Sequence, residues 1–506
     1  MASQLTVDST IFVSSPARVA RRAMRVPSFA PARVTLVAAL LAAPLAFGAV
    51  QAWAWGTLAV VAWLMFLLWA VACARRGSVR VFWSPLYLPA GFFFLVGVTQ
   101  FAAGLTIDPT ATREALVKLS TCLLLFVLAG QIFSAEATPR VQKNSRGFGG
   151  GRGADGAPVV DFLSSAPLRW TLIAYTFFLG LFAIFQFFSS QGLIYWRVPS
   201  PGWTFGSYVN HNHYAGLMEM LIPLAIAAAL VAFRHDGAPG RSPAGGALKG
   251  GATSVRAARM RGATIPPGQH PAALVLGFVL LIPIASLLLS ASRGGFIALL
   301  AEALLAAGLI FACGPRPARP VFALLAGATL LASGLLFGWM APRHVIQRLV
   351  RMGDGTHPPE VEFRARLTAA RDALGILRDH PGLGSGLGSF EAAFPRHMSF
   401  ATDLPWDHAH NDYAELLAET GLAGGAALAC ALVMFFGLAF RNLRQRLRHP
   451  AGWMQFAAAL GCCGILVHSF ADFNLHIPAN AAWFAACAAI ATKSHHRGTE
   501  AQRQET

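Results

Sequence analysis

Long hydrophobic stretches alternate with short polar ones along most of this chain. A helix needs roughly 20 apolar residues to cross the hydrocarbon core of a bilayer. Runs of about that length fall at 34–52, 54–74, 82–104, 115–133, 170–189, 214–233, 272–290, 295–313, 320–340, 412–440, 453–471 and 476–492. They predict an all-α polytopic membrane protein with about 12 transmembrane helices. The expected organisation is a basic N-terminus (1–33), transmembrane helices 1–9 (34–340), an outer loop domain (341–411), transmembrane helices 10–12 (412–492) and a tail (493–506).

The connections separate into two kinds. Every second one is rich in arginine: Arg75, Arg76 and Arg80; Arg140, Lys143, Arg146 and Arg152; Arg234 to Arg261; Arg316 and Arg319; Arg441 to Arg448. The positive-inside rule puts these, and both termini, in the cytoplasm. A basic segment (Arg18, Arg21, Arg22, Arg25) precedes the first run, which is read as an uncleaved anchor rather than a signal peptide. The Gly/Arg-rich stretches 144–157 and 237–262 read as flexible cytoplasmic loops. The connection 341–411 is long, faces outward and balances eight arginines with eight acids. Within it 362-EFRARLTAARDALGILRDH-380 has helical spacing, with Leu367, Ala370, Leu374 and Leu377 on the apolar side, and the turn 382-GLGSGLGSF-390 follows. An ordered helical cap is expected there.

Composition changes this picture little. Hydrophobic residues make up 55% and charged residues 12%, with a mean hydropathy of +0.53, as in a membrane protein. The net charge of +17 would point to nucleic acid in a soluble chain. Here the basic residues mark loops, so no nucleic-acid partner is expected. The seven cysteines all lie in or beside apolar runs and suggest neither a disulfide framework nor a zinc motif.

Polar outliers gather at the outward ends of the runs, in 195-YWRVPS-200, 204-TFGSYVNHNHYAGLMEM-220, 290-SASRGGF-296, 406-WDHAHNDYAELLAETG-421 and 468-HSFADFNLHIPAN-480. That distribution suggests one outward-facing cavity. Arg293 stands between two apolar runs among Ser292, Gly294 and Gly295, small neighbours that would leave its guanidinium uncovered. The bland alternative is an arginine snorkelling to the interface. A permanently charged planar fork suits a phosphate group. Arg197, in another short outer loop, is a second candidate. Asp412 and Glu415 have the spacing of a capping box, so a helix is expected to start near 412. His410 then precedes a helix N-terminus, where the dipole disfavours imidazolium and a neutral histidine can accept a proton. Glu419, one turn beyond Glu415, is expected to look into the bundle. A metal reading built on Asp407, His408, His410 and Asp412 is weak, because no further ligand stands at a recognised spacing. One internal echo, His211-Asn-His-Tyr-Ala against His410-Asn-Asp-Tyr-Ala, suggests a shared way of starting a helix.

At these residues the chain resembles the bacterial O-antigen ligase and O-antigen polymerase superfamily. The matching pieces are 44-PLAFGAVQAWAW-55, YVNHNHYAG, SRGGF, HPGLGSGLGSF and AHNDYAELLAETG, in order, covering most of the chain from about 40 to 480. The resemblance implies a GT-C-like glycosyltransferase with a helical periplasmic loop domain, seated in the bacterial inner membrane with its active site facing the periplasm. It would move a glycan from undecaprenyl diphosphate to lipid A–core, as a ligase, or to another lipid-linked glycan, as a polymerase. It carries the essential histidine to His410 and the essential arginines to Arg293 and Arg197. Asn210 and Asn212 match an Asn-x-Asn segment. His213, Asn411, Tyr413, Glu419, Arg364 and Arg366 are further candidates for substrate binding. The outer helix departs from the family in having Thr368-Ala369-Ala370 where a tryptophan is often found. The expected chemistry is inverting and metal-independent, with no cofactor. A solute transporter, using Glu302 near the midplane, is the rival from another class.

Overall fold

The computed structural model describes residues 30–76, 81–133, 162–200, 202–236, 270–313, 327, 359–401, 406–447 and 449–493. The principal helices are α1 (Ala30–Leu45), α2 (Ala52–Arg76), α3 (Tyr87–Ala102), α4 (Pro109–Ile132), α5 (Ala166–Ser189), α6 (His211–Asp236), α7 (His270–Leu289), α8 (Arg293–Cys313), α9 (Pro359–Asp379), α10 (Asp412–Arg446), α11 (Pro450–His468) and α12 (Pro478–Thr492). Among the described residues the only extended pairings are two isolated bridges, Ile194 with Val198 and Phe205 with Tyr208. The protein is an all-α, multi-pass membrane protein. Seven of these helices (α2, α4, α5, α6, α8, α10 and α11) are long and apolar enough to cross a bilayer, and three shorter apolar ones lie within α1, α3 and α7. Eleven of the twelve runs seen in the sequence fall on these helices. The ninth, 320–340, lies outside the described residues except for Gly327, as do 341–358 of the outer loop.

Local chemistry sets the helix starts. Asp108 caps α4 by accepting from the N–H groups of Thr110 and Ala111 at 2.9 and 3.0 Å, and Pro109 follows at the first helical position, where no N–H is needed. Proline also opens α11 and α12. The first run, expected to continue to residue 52, breaks at Leu45. A tight turn, Phe47–Ala49, follows with Gly48 at φ +69°. A Cβ at Gly48 would lie 2.7 Å from the Tyr208 ring, so the turn needs glycine both for its backbone and for its space. Carbonyls freed at the end of α1 are taken up by the hydroxyls of Ser207, 2.7 Å from the Pro44 oxygen, and of Tyr195, which bonds Leu45. Helix ends buried in a bundle need such partners.

The core centres on α6 and α11. Every residue from Asn212 to Ala225 is buried, and α11 packs on α6, α8 and α12. Helix α12 has 15 residues, about 22 Å at 1.5 Å per residue. Almost all of it is buried.

Helix α10 is broken. Gly421, at φ +61° and ψ −161°, interrupts its 35 residues. Into the break fits the glycine-rich turn that follows α9. Ser385 and Gly386 donate to the carbonyls of Ala418 and Glu419, both at 3.0 Å. Gln100 of α3 donates to Glu419 O at 2.7 Å and to Leu383 O, and accepts from Leu387 N at 3.0 Å. Gly384 has φ +79°, and a Cβ there would collide with the backbone of Glu419 and Thr420. Gly384→Ala is therefore expected to lower stability by at least about 1–3 kcal/mol, visible as a lower melting temperature of the purified protein. The outer helix α9 sits above. Its Ala369 and Ala373 are fully buried with Phe390 and Phe394, which accounts for small residues at 369–370 where a tryptophan was expected.

Candidate active site

The start of α10 is fixed by Asn411, whose side-chain oxygen accepts from Tyr413 N at 3.1 Å and Ala414 N at 3.0 Å. This corrects the capping box expected at Asp412 and Glu415. Those two acids reach outside the helix instead. Asp412 accepts from Ser469 Oγ at 2.6 Å and Leu475 N at 3.3 Å, and its other oxygen lies 2.8 Å from His476 Nδ1. Glu415 accepts from Ala409 N at 2.8 Å, and lies 2.6 Å from His408 Nδ1 and 3.3 Å from His476 Nε2. Residues 469–477, between α11 and α12, are thereby bound to the head of α10. Asn411→Ala is expected to cost about 1 kcal/mol of stability, measured by thermal unfolding, with Asn411→Asp close to wild type.

The echo at the head of α6 proves to be in a different register. There Asn210, not the equivalent Asn212, accepts from the N–H two residues on, Asn212 N at 2.8 Å. Tyr214 and Tyr413 likewise use their hydroxyls differently, toward Ser286 Oγ at 2.8 Å and Leu466 O at 2.6 Å.

His410 has φ +50°, a left-handed conformation that a side-chain-bearing residue adopts at a cost. The turn projects its ring edge-on to Trp406, with centroids 5.3 Å apart, and to Phe473 at 5.0 Å. Its Nδ1 lies 3.4 Å from Asp472 Oδ1. Asp472 is fully buried and is the hub of the site. His213 Nε2 lies 3.7 Å from the same oxygen, and Arg366 of α9 lies 3.7 Å from the other. Burial alone would raise the Asp472 carboxyl, but His213, His410 and Arg366 hold it well below the usual carboxylate range. Helices α6 and α9, the segment just before α10 and the 469–477 loop thus converge on one carboxylate. For His408 burial would lower the imidazole, and Glu415 outweighs it, so the group is raised. The same balance, with Glu415 and then Asp412 opposing burial, pushes His476 up to about 10.

Arg293 is exposed at the first residue of α8. Among the described residues no hydrogen bond or ion pair engages its guanidinium. Its turn is tied to the same region from below. The space a Cβ of Gly294 would need is filled by the His468 imidazole, and Gly295 is crowded by Ala215 and Glu219. His468 Nδ1 and Glu219 Oε1 are 2.7 Å apart. The glycines of SRGG therefore admit a histidine and a close helix contact, a different role from the open approach for substrate read in the sequence.

The remaining candidates separate. Arg364 is exposed on the outer face of α9. Arg197 is exposed in the tight turn closed by Ile194 and Val198, and no described contact joins it to the Asp472 cluster. Asn212 is buried beside His213. Asn411 is occupied as the cap, with its amide donating to Phe470 O at 3.0 Å. Glu419 is buried two turns below His410 and accepts from Phe390 N at 3.0 Å, so it clamps the glycine-rich turn. Asp472, His476, His468 and Glu219 were not singled out from sequence. The only available signal was an acid and two histidines in one outward loop, 468-HSFADFNLH-476.

Residues 278–429 match the family model described as O-Antigen ligase. No curated protein matches the chain. The family points to a glycosyltransferase-like membrane enzyme acting on lipid-linked glycan. The matched segment, under a third of the chain, holds the Arg293 turn, the glycine-rich turn, Arg366 and His410, and over it the chain is similar to the O-antigen ligase family.

Proposed function

We propose that the protein transfers a glycan from undecaprenyl diphosphate to an acceptor at the periplasmic face of the bacterial inner membrane, as an O-antigen ligase with lipid A–core as acceptor. The observation that carries this reading is His410 facing Asp472 at a site that Arg366 also reaches, with His410 and Arg366 both inside the family-matched segment. A carboxylate at Nδ1 favours the tautomer with its proton on Nδ1 and leaves Nε2 as the basic nitrogen. Nε2 takes the proton of the acceptor hydroxyl as its oxygen attacks the anomeric carbon. The bond from that carbon to the diphosphate oxygen breaks, and the electron pair leaves with the lipid diphosphate. Attack opposite the leaving group inverts the anomeric centre. Charge growing on the diphosphate is met by exposed Arg293, with Arg366 and Arg197 as further cationic groups, in place of a metal ion. Asn210, Asn212, His213 and Tyr413 shape the walls near the reacting groups, and Arg364 offers charge to the incoming glycan.

The test is deletion of the gene followed by electrophoresis of the surface polysaccharide. Loss of all long chains, with lipid-linked polymer accumulating, is the result expected of a ligase. A single capped repeat would instead assign a polymerase, and an unchanged ladder would overturn both. One feature favours the transporter as a second reading. The Glu302 carboxylate is buried on α8 against Gly464, with no hydrogen bond to either oxygen among the described residues. Transport of a solute by the purified protein in vesicles, without glycan transfer, would establish that alternative.

A further inference from the structure

The three residues His408, Glu415 and His476 form a cluster apart from the reacting groups. One ligand atom from each lies within 4.8 Å of the other two. The His408 Nδ1 to Glu415 Oε1 distance is 2.6 Å and that from His476 Nε2 to the same oxygen is 3.3 Å. Tetrahedral ligands about 2.0–2.1 Å from a zinc ion stand roughly 3.3 Å from one another. The second distance already has that value, and the first reaches it by opening less than about 1 Å.

The supporting groups have the arrangement that metal-bound histidines use. His476 presents both ring nitrogens to carboxylates, Nε2 to Glu415 and Nδ1 to Asp412 at 2.8 Å. Without a metal, hydrogen bonds to both acids require a doubly protonated ring. With one, a neutral ring donates Nδ1–H to Asp412 and offers the Nε2 lone pair to the ion. A carboxylate on the far nitrogen is the usual device for fixing the tautomer of a metal-bound histidine. The other Glu415 oxygen is held by Ala409 N. The His408 ring is stacked on Phe473, with centroids 4.1 Å apart, and both ligand faces are therefore pre-oriented. The histidine side chains are 24% and 32% exposed, so an ion can enter from the outer side, and water can complete its coordination.

We propose that His408, Glu415 and His476 form a divalent-metal site of the zinc type, with Asp412 orienting His476. Two imidazoles and one carboxylate suit zinc, whereas calcium and magnesium select oxygen donors alone. The site is structural. It joins the 406–411 segment, the head of α10 and the 469–477 loop, the three pieces of chain that place His410 opposite Asp472. Of the four ligands considered from sequence only His408 takes part, because Glu415 and His476 come from positions that spacing alone does not connect.

The experiment uses the full-length protein purified in detergent, stripped with a chelator and titrated with Zn²⁺ against a chromophoric competitor. One equivalent is expected to bind, and the melting temperature is expected to rise with added zinc. Asp412→Asn should weaken binding by about 10–100-fold, and a His408→Ala/His476→Ala double variant should lose it. Should those variants fail to fold, Co²⁺ bound to the wild-type protein decides the matter, since the visible bands of low-coordinate cobalt with nitrogen ligands are expected. Binding no tighter than in the double variant, or a cobalt spectrum like that of the aqueous ion, would mean an adventitious ion only and overturns the site. None of these measurements depends on glycan transfer.

Discussion

His410→Ala is expected to lower glycan transfer by roughly 10²–10⁴-fold, the usual contribution of a positioned general base, while the protein still inserts and purifies normally. The assay is transfer from a purified lipid-linked glycan donor in vesicles. Alanine removes the imidazole but also alters a residue at φ +50°, so a second variant separates chemistry from backbone. Asparagine enters the left-handed region more readily than most residues and carries no basic nitrogen. His410→Asn should therefore be folded at least as well as His410→Ala and equally inactive. Wild-type rates in both variants would remove His410 from the mechanism.

Asp472→Asn is the second substitution with a large expected effect. Aspartate and asparagine have nearly the same shape, and the amide oxygen can still accept from Phe473 N, as the carboxylate does at 2.9 Å. What is lost is the charge that faces His410, His213 and Arg366. The His410 ring loses the carboxylate beside its Nδ1, and Arg366 loses its anionic neighbour. A fall of roughly 10–100-fold, about 1.4–2.7 kcal/mol in the barrier, is expected. Asp472 is separated from substrate by the groups around it, so the loss should fall on kcat with KM for the donor little changed. A change confined to KM, or a stability loss with kcat intact, would make Asp472 a packing residue only.

Much of the fold was readable because membrane helices are written in composition. A run of roughly twenty apolar residues needs no tertiary information to be recognised, and eleven of the predicted runs coincide with helices. Their ends were harder. The first run breaks after Leu45 into a turn with positive φ at Phe47, Gly48 and Ala49, and Gly48 is packed against Tyr208 from a distant part of the chain. At the head of α10 the spacing of Asp412 and Glu415 fits a cap, yet Asn411 makes it. Ser469 and His476 compete for one acid, His408 and His476 for the other, and a local motif cannot register such distant partners. Asp472 was hidden for the same reason, since it stands 62 residues beyond His410. Sequence singled out the histidine by its place at a helix start, and only folding supplied its carboxylate. The glycines of SRGG were visible, but their reason, the His468 ring above Gly294, was not.

The break at Gly421 has a mechanical consequence. Below it, α10 continues for about 25 residues and is tied at its far end, where Asn442 donates to the carbonyls of Ala491 and Lys493 at 2.9 and 3.1 Å. Above it, two helical turns carry Asn411 at their head, directly after His410. These turns are bonded through the glycine-rich loop and Gln100 to other parts of the bundle. A rigid 35-residue helix would act as a lever and swing its outer end through several ångströms for each few degrees of tilt. The break at residue 421 replaces that lever with a clamp: Leu422 and Ala423, just below it, donate to the carbonyls of Pro381 and Gly382 at 2.9 and 3.1 Å, so the histidine end takes its position from the glycine-rich turn rather than from the length of the helix.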